Sequence, residues 1–309
     1  MSNNMPSEEM QQITLTGLSG PTRLDKALRE AFPAWGRKAV QQTITSRHVT
    51  VNGRVVWLSS WQVENGDRVE VSRPPAAKPT PPAGWDERWL IEESGDLIVV
   101  NKPEGLLSES PPRRDAVNLL DLAQARFGPL VLFHRLDRDT SGVILLSRPG
   151  PVNAYLDWAF KERLVKKEYV AVVAGPNRLA EEGTIDAYIG PHPQRREMVA
   201  VVERGGKPAV TDYRIVSPPG ARSTDPQAVR LWPRTGRTHQ LRVHLAHKNA
   251  PILGDRLYGN AESAPRLLLH ARRLDLPAGM GYPARSFSAP VPEGFWPSSL
   301  EFASKETDS

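Results

Sequence analysis

The sequence predicts an α+β protein in two parts, and three observations carry that expectation. Two short helical patterns lead into a hairpin centred on Asn52-Gly53. A proline-rich run, Pro74-Pro75-Ala76-Ala77-Lys78-Pro79-Thr80-Pro81-Pro82, then divides the chain and reads as an extended, semi-stiff linker. Beyond it, apolar strand-like runs alternate with helical patterns. Residues 184–190, 197–203, 209–216 and 228–232 show the alternation of an antiparallel sheet.

In chain order, residues 1–12 are polar and read as disordered. Thr22, with Asp25 three positions on, reads as the cap of a helix carrying Leu24, Ala27, Leu28, Ala31 and Phe32 on one face. Pro33 and Gly36 end it, and a second helix starts near Arg37 with Val40 and Ile44 on its apolar side. The strands HVTV and RVVW flank Asn52-Gly53, and RVEV follows the turn Asn65-Gly66-Asp67. The second part begins at Trp85, and its first strand, Asp96 to Val100, runs into Lys102-Pro103-Glu104-Gly105. Residues 113–127 read as a helix stopped by Gly128-Pro129, and a further helix starts near Pro151. Tyr169 reads as the start of a strand, directly after Lys166-Lys167-Glu168.

Composition narrows the functional classes. The net charge of +5 and a pI near 9.5 favour a polyanionic partner. The absence of cysteine excludes disulfides, thiolate nucleophiles and cysteine-ligated zinc. No run approaches the ~18 apolar residues of a membrane span. The N-terminal MSNNMPSEEMQQ has no apolar signal-peptide core, so a cytoplasmic protein is expected. No P-loop and no GxGxxG after a strand is present, and no cofactor is expected.

Two dense polar stretches hold the candidate chemistry. In the first, the apolar runs Val131–Phe133 and Val143–Leu146 read as buried strands around His134-Arg135-Leu136-Asp137-Arg138-Asp139-Thr140-Ser141-Gly142. A carboxylate beside arginines stays ionised, which suits Asp137 to nucleophilic or electrostatic work. A Ser/His/Asp hydrolase is disfavoured because GxSxG is absent; His134 and Asp139 read as holding the loop, Thr140 and Ser141 as a turn. The second stretch runs from Arg234-Thr235-Gly236-Arg237-Thr238-His239-Gln240-Leu241-Arg242 through His247 to Pro251–Gly259. Thr238 reads as the cap of a helix to about Lys248, with Leu241 and Leu245 inward and Arg242 at the edge of that face. His239 and His244 point to different sides of such a helix, so zinc is not expected.

HRLD followed by TSG and an apolar strand resembles the catalytic motif of the RluA-type pseudouridine synthases. Lys102-Pro103, Lys167-Glu168-Tyr169, the 234–259 stretch, Leu267–Ala271 and FSAPVPEGF at 287–295 resemble further blocks of that family, in order. The words RLD at 23–25, VTVNGR at 49–54 and ENGDRVEV at 64–71 resemble the RNA-binding module of the ribosomal protein S-four type. The resemblance implies a pseudouridine synthase-like domain at 85–300, with a mixed, mostly antiparallel sheet and flanking helices. It also implies a small α+β RNA-binding module at 13–73 and a linker at 74–84. It makes Asp137 catalytic, places Tyr169 against the target base and pairs Arg242 with Asp137. Lys102-Pro103 would brace the catalytic loop.

The expected reaction is the isomerisation of uridine to pseudouridine in structured RNA, large-subunit ribosomal RNA first and transfer RNA second. Asp137 would add to C6 of the uracil or assist cleavage at C1′, and the residues leave that choice open. Arg135 would contact phosphate or occupy the gap left by the flipped nucleotide; Arg237 and His239 are also expected to contact RNA. Arg23, Arg37, Lys38 and Arg47 are expected to face phosphates, the alternative being a solvated basic face. The loop at His192, Arg195 and Arg196 reads as solvated. The competing classes are a silent RNA-binding or ribosome-assembly factor of the same fold and an enzyme acting on another polyanion. A monomer is expected.

Overall fold

The computed structural model describes residues 11–297 except 34, 46–47, 73–81, 83, 111–115, 178, 196 and 217–224, together with Leu300; of Lys38 and Glu262 only the backbone is described. The expectations for residues 1–10, Arg47, Arg196, the side chain of Lys38, most of the proline-rich run and residues 113–115 fall outside the described residues. The chain forms two compact units, Met1–Pro79 and Thr80–Ser309.

The first unit contains β1 (Gln11–Thr14), β2 (Thr22–Arg23), α1 (Leu24–Ala31), α2 (Arg37–Thr45), β3 (Val49–Val51), β4 (Arg54–Val56), β5 (Gln62–Val63) and β6 (Arg68–Val71). Its main sheet runs β1-β6-β3-β4, all antiparallel. Asn52 and Gly53 both take positive φ, 50° and 76°, the conformation a two-residue hairpin turn requires. Leu24, Leu28, Val40 and Ile44 from the helices pack on Val49, Val69 and Val71 from the sheet. Two expectations are corrected here. Gln11 and Gln12 are not disordered: they pair with Val71 and Glu70 as an edge strand. Thr22 does not cap α1. Arg23 occupies that position and its guanidinium grips Asp25 through two 3.0 Å bonds, so the acid is used by an ion pair and not by a capping box.

The second unit contains β7 (Leu90–Ser94), β8 (Leu97–Lys102), α3 (Leu119–Phe127), β9 (Val131–Leu132), β10 (Ser141–Ser147) and α4 (Val152–Lys161). It continues with β11 (Lys166–Val173), β12 (Glu182–Pro191), β13 (Val199–Val201), β14 (Lys207–Val216), β15 (Gln227–Pro233), α5 (Gln240–His247), β16 (Leu269–Leu276) and β17 (Arg285–Ser288). One mixed sheet runs β13-β12-β14-β15-β11-β16-β10-β8-β7, with β17 on β16 and β9 on β10. Its pairs are antiparallel except β10 with β16. The expected α+β, mostly antiparallel architecture is the observed one.

β10 is buried along its whole length and apolar from Val143 to Leu146 because both its faces are covered. Val143 and Leu145 join the core that includes Tyr155 and Leu156 of α4, while Ile144 and Leu146 join Leu119 and Ala123 of α3. The helix expected over 113–127 spans Leu119–Phe127 because Asn118 caps it, its side chain accepting the Asp121 N–H at 3.0 Å. The run Val131–Phe133 is a two-residue, half-buried strand and not a buried one. Tyr169 lies inside β11, which begins at Lys166, and a bulge falls between Glu168 and Tyr169. Bulges re-aim side chains, here beside the cleft described below.

Gly142, where the polar loop enters β10, has φ +120°, and a Cβ there would lie 2.2 Å from the carbonyl oxygen of Ala271 on the parallel strand β16. Gly142→Ala is expected to cost about 2–5 kcal/mol, the sum of a forbidden dihedral and an overpacked contact. Urea unfolding checks this, and an unchanged midpoint would show that β10 and β16 do not need that approach.

Candidate active site

The loop between β9 and β10 carries Asp137, and three buried side chains brace it, Lys102 and Ser108 from outside and His134 from within. The Lys102 ammonium, fully buried, donates to the carbonyls of Pro103 at 2.8 Å, Leu106 at 2.7 Å and Arg138 at 3.1 Å. Burial pulls its pKa down to about 7, with the charges of Asp139 and Asp137 working the other way. The Ser108 hydroxyl donates to the Leu136 carbonyl at 2.9 Å and accepts the Leu136 N–H at 3.0 Å, closing both backbone groups of the residue before Asp137. His134 Nε2 accepts the Leu145 N–H at 3.0 Å, and its ring stacks on Phe160. Burial holds this histidine well below the ordinary pKa, so it is a neutral brace and not a base. Asp139 pairs with Arg138.

The cation that reaches Asp137 comes from α5, 105 residues further on. Arg242 is 4% exposed, and its guanidinium is shared between two carboxylates. Nε and Nη2 donate to Asp255 at 2.8 Å each, and Nη1 donates to Asp137 Oδ2 at 3.3 Å. Asp255 also accepts the backbone N–H groups of Leu257 at 2.9 Å and Tyr258 at 3.1 Å. Burial alone would lower the Arg242 pKa; the hydrogen bonds and charge of Asp255, then Asp137, overcome it and raise the value. Burial likewise opposes ionisation of Asp255, and Arg242 outweighs it, leaving the carboxyl below its usual range. Asp137 is thus held by one long bond, and among the described residues no hydrogen bond engages its Oδ1. The arginines adjacent in sequence look elsewhere: Arg135 to Glu109 and Arg138 to Asp139.

The turn before α5 is built by Gln240. Its Oε1 accepts from Thr235 Oγ1 at 2.7 Å and the Arg237 N–H at 3.0 Å, and its Nε2 donates to the Val210 carbonyl at 3.0 Å and Thr211 Oγ1 at 2.9 Å. All four polar sites of that buried amide are used. Thr238 does not cap α5. His239 takes that position with φ 52°, and its Nδ1 meets the Tyr258 hydroxyl at 2.9 Å. Burial lowers the His239 pKa, which keeps the ring neutral. Tyr258 also places its ring 5.2 Å from the Arg242 guanidinium.

These elements enclose a cleft of about 1030 Å³ lined by Asp137, Tyr169, Arg242, Arg135, Arg237 and His239, among others. Six of the residues expected to act or to touch RNA therefore meet in one place. Tyr169 is 8% exposed; burial, then the charge of Asp137, raises its pKa, so the phenol stays protonated. Arg23 and Arg37 belong to the first unit, Arg23 bonded to Asp25 and Arg37 exposed at the start of α2. The sequence reading assigned no role to Asp255, Ser108, Gln240 or Tyr258. Gln240, Asp255 and Tyr258 fall within the second dense stretch, but nothing local ties Asp255 to a guanidinium thirteen residues earlier. Among the described residues no three His, Asp or Glu side chains cluster to hold a metal ion. No helix is long and apolar enough to cross a membrane among those residues.

A carboxylate presented by a buried guanidinium in a cleft lined by arginines and lysines suits carboxylate chemistry on a polyanion. Residues 96–247 match the family model described as RNA pseudouridylate synthase, and residues 22–69 match the S4 domain. The ribosomal large subunit pseudouridine synthase D of Haemophilus ducreyi is 32% identical over 266 residues, covering 83% of this chain and 80% of that protein. Its namesake in Haemophilus influenzae is 30% identical over 311 residues, covering 93% and 94%. The solved structure of human RNA pseudouridylate synthase domain containing 1 superposes with a TM-score of 0.57 at 27% identity, over 71% of this chain and 94% of that one. The chain belongs to the RNA pseudouridylate synthase family.

Two outcomes follow from this site. Asp255→Ala leaves a buried guanidinium half-paired and is expected to cost about 3–5 kcal/mol in urea unfolding; a cost under 1 kcal/mol would show Asp255 to be dispensable. Burial lowers the pKa of His244 to about 4 and of His270 to about 3 and lowers that of His134, so the folded chain binds these protons less readily than the unfolded one. Stability is therefore expected to be full above pH ~6.5, the unfolded histidine value. It should fall progressively as the pH drops below that value toward the folded values near 4 and 3. Melting temperatures at pH 7.5, 5.5 and 4.5 check this, and a flat profile would contradict it.

Proposed function

We propose that this protein isomerises uridine to pseudouridine in large-subunit ribosomal RNA, with Asp137 as the carboxylate that opens the reaction. The observation that carries the reading is the Asp137 carboxylate held at 3.3 Å by Arg242 in a cleft that also holds Tyr169. The ribosomal substrate is supported by the names of the relatives, which carry it at about a third identity over most of both chains.

The chemistry asks little beyond these groups. The N1–C1′ bond of the uridine breaks, the base turns, and a C5–C1′ bond forms. The C5 proton leaves and N1 gains one, so nothing is oxidised and no group is added. Attack of Asp137 on C1′ and addition to C6 make the same demand, an ionised carboxylate with one oxygen free. Sharing Arg242 with Asp255 meets that demand: the guanidinium stabilises the negative charge of Asp137 without tying up both oxygens. Arg242 is a positioning residue in this scheme. Tyr169, protonated and rigid, offers its ring to the uracil and its hydroxyl as a donor. Arg135, exposed at the mouth, contacts phosphate or occupies the gap left by the extruded nucleotide. Extrusion costs a few kcal/mol, and the basic residues that line the cleft offset it. The module at 13–73, joined through the linker at 74–84 to the catalytic domain at 85–300, adds phosphate contacts through Arg23, Arg37, Lys38 and Arg47.

The test is release of tritium from RNA labelled at C5 of uridine, with ribosomal and transfer RNA as separate substrates. The wild type is expected to release tritium from ribosomal RNA, and Asp137→Ala to lower the rate by at least ~10³-fold. Binding without release from either RNA would favour a silent assembly factor, and preference for transfer RNA would move the substrate. Asp255→Asn, which weakens the hold on Arg242 while keeping its shape, is expected to lower kcat about 10–100-fold with little change in KM.

A further inference from the structure

The cleft is larger than one base needs. At about 1030 Å³ it sits at the top of the range for small-ligand sites. Besides Asp137 and Arg242, its lining includes Arg163, Lys166, Lys167 and Phe160. Among the described residues none of these three cations has an ion-pair partner, whereas Arg148, Arg214, Arg230, Arg234, Arg273 and Arg285 each have a carboxylate. The carboxylates that stand nearest in the ladder are already engaged. Asp275 lies opposite Lys166, but it accepts from Arg273 at 2.8 Å and Ser286 at 2.5 Å. Glu168, next to Lys167, is clamped by Arg230 at 2.9 and 3.0 Å and by the Trp232 N–H at 3.2 Å. Lys167 is half-buried with its ammonium 5.2 Å from the centre of the Phe160 ring, and burial lowers its pKa to about 8.

Arg163 is held at a backbone cost. It follows α4 with φ 57°, in a helix-ending turn: its N–H donates to the Phe160 carbonyl at 3.2 Å and the Leu164 N–H to the Ala159 carbonyl at 2.9 Å. Glycine is the ordinary residue at that position. An exposed arginine there gains nothing for the fold that glycine would not supply better.

We propose that Arg163, Lys166 and Lys167 form a phosphodiester subsite for a nucleotide next to the target uridine. The subsite rests on the uridine-isomerising reading for its place in catalysis. Three cations that line one cleft without an ion-pair partner among the described residues match the spaced charges of an RNA strand entering it, and the phosphates supply the anions that Asp275 and Glu168, already engaged, do not give. Its contribution is to seat the strand, so it appears in binding and not in the chemical step.

The experiment uses the full-length protein with Arg163→Gly, Lys166→Ala, the pair, and Arg88→Ala as a charge that does not line the cleft. The double variant is expected to raise KM for ribosomal RNA about 5–20-fold with kcat within about twofold. The slope of log affinity against log salt should fall by about 0.7–0.9 per contact removed, and stay as it is in Arg88→Ala. Arg163→Gly should melt at the same temperature or higher, since glycine relieves the positive φ. Unchanged KM and salt slope would overturn the subsite, as would an Arg163→Gly variant that loses stability and kcat together. Should the wild type release no tritium, the isomerase reading fails. Filter binding of the same RNA then still decides the subsite, by whether the double variant alone loses affinity and slope.

Discussion

One buried guanidinium organises the catalytic domain. Arg242 has no water to solvate it, so its charge must be met by protein carboxylates with good geometry. Asp255 meets it on two nitrogens at 2.8 Å and Asp137 on a third at 3.3 Å. The inequality is the useful part. The short pair holds the arginine in place, and the long one lends its charge to Asp137 without consuming the carboxylate. That arrangement works only if three distant pieces of chain arrive in register, and the close approaches in the fold secure this. A Cβ on Gly254, the neighbour of Asp255, would lie 1.7 Å from the Arg266 carbonyl oxygen, and one on Gly142 would lie 2.2 Å from that of Ala271.

The loop that carries Asp137 is irregular but not loose. Lys102, Ser108 and His134 each bond its backbone or the strand beside it from buried positions, which replaces the ladder bonds a loop lacks. Burial sets the protonation states that go with this. His134, His239, His244 and His270 are all pushed toward neutrality, so their ring nitrogens serve as acceptors and donors in fixed networks. The chain from Arg266 to Ser141 to His270 to the Ala289 carbonyl is one such network, running under the strand that starts at Ser141. In contrast, most arginines away from the cleft sit at the surface in solvated pairs, which contribute little to stability individually.

How far the residues alone could be read varied with the range of the interaction. Asn52-Gly53 announces its hairpin because the turn conformation is a property of two residues. The uninterrupted Val143–Leu146 run marks a strand covered on both faces, and Pro151 marks the start of α4. Caps were less legible: Thr22 and Thr238 have the right chemistry, but Arg23 and His239 hold the positions. There a side chain elsewhere had already claimed the neighbouring groups, Asp25 by Arg23 and His239 by Tyr258. Tyr169 looked like a strand start, yet β11 extends three residues earlier because Lys166 to Glu168 pair with β16.

The sequence by itself determined the family and the α+β class and singled out Asp137, Tyr169 and Arg242, because those rest on contiguous words and local periodicity. Tertiary structure decided which charges meet. Nothing in the order of residues says that Arg135 and Arg138 turn away from Asp137, that Asp255 takes two of the Arg242 nitrogens, or that Arg163, Lys166 and Lys167 line the same cleft with no ion-pair partner among the described residues. Charge pairing depends on distance in space and on burial, and both are set only when β10, β11, β16 and α5 pack together.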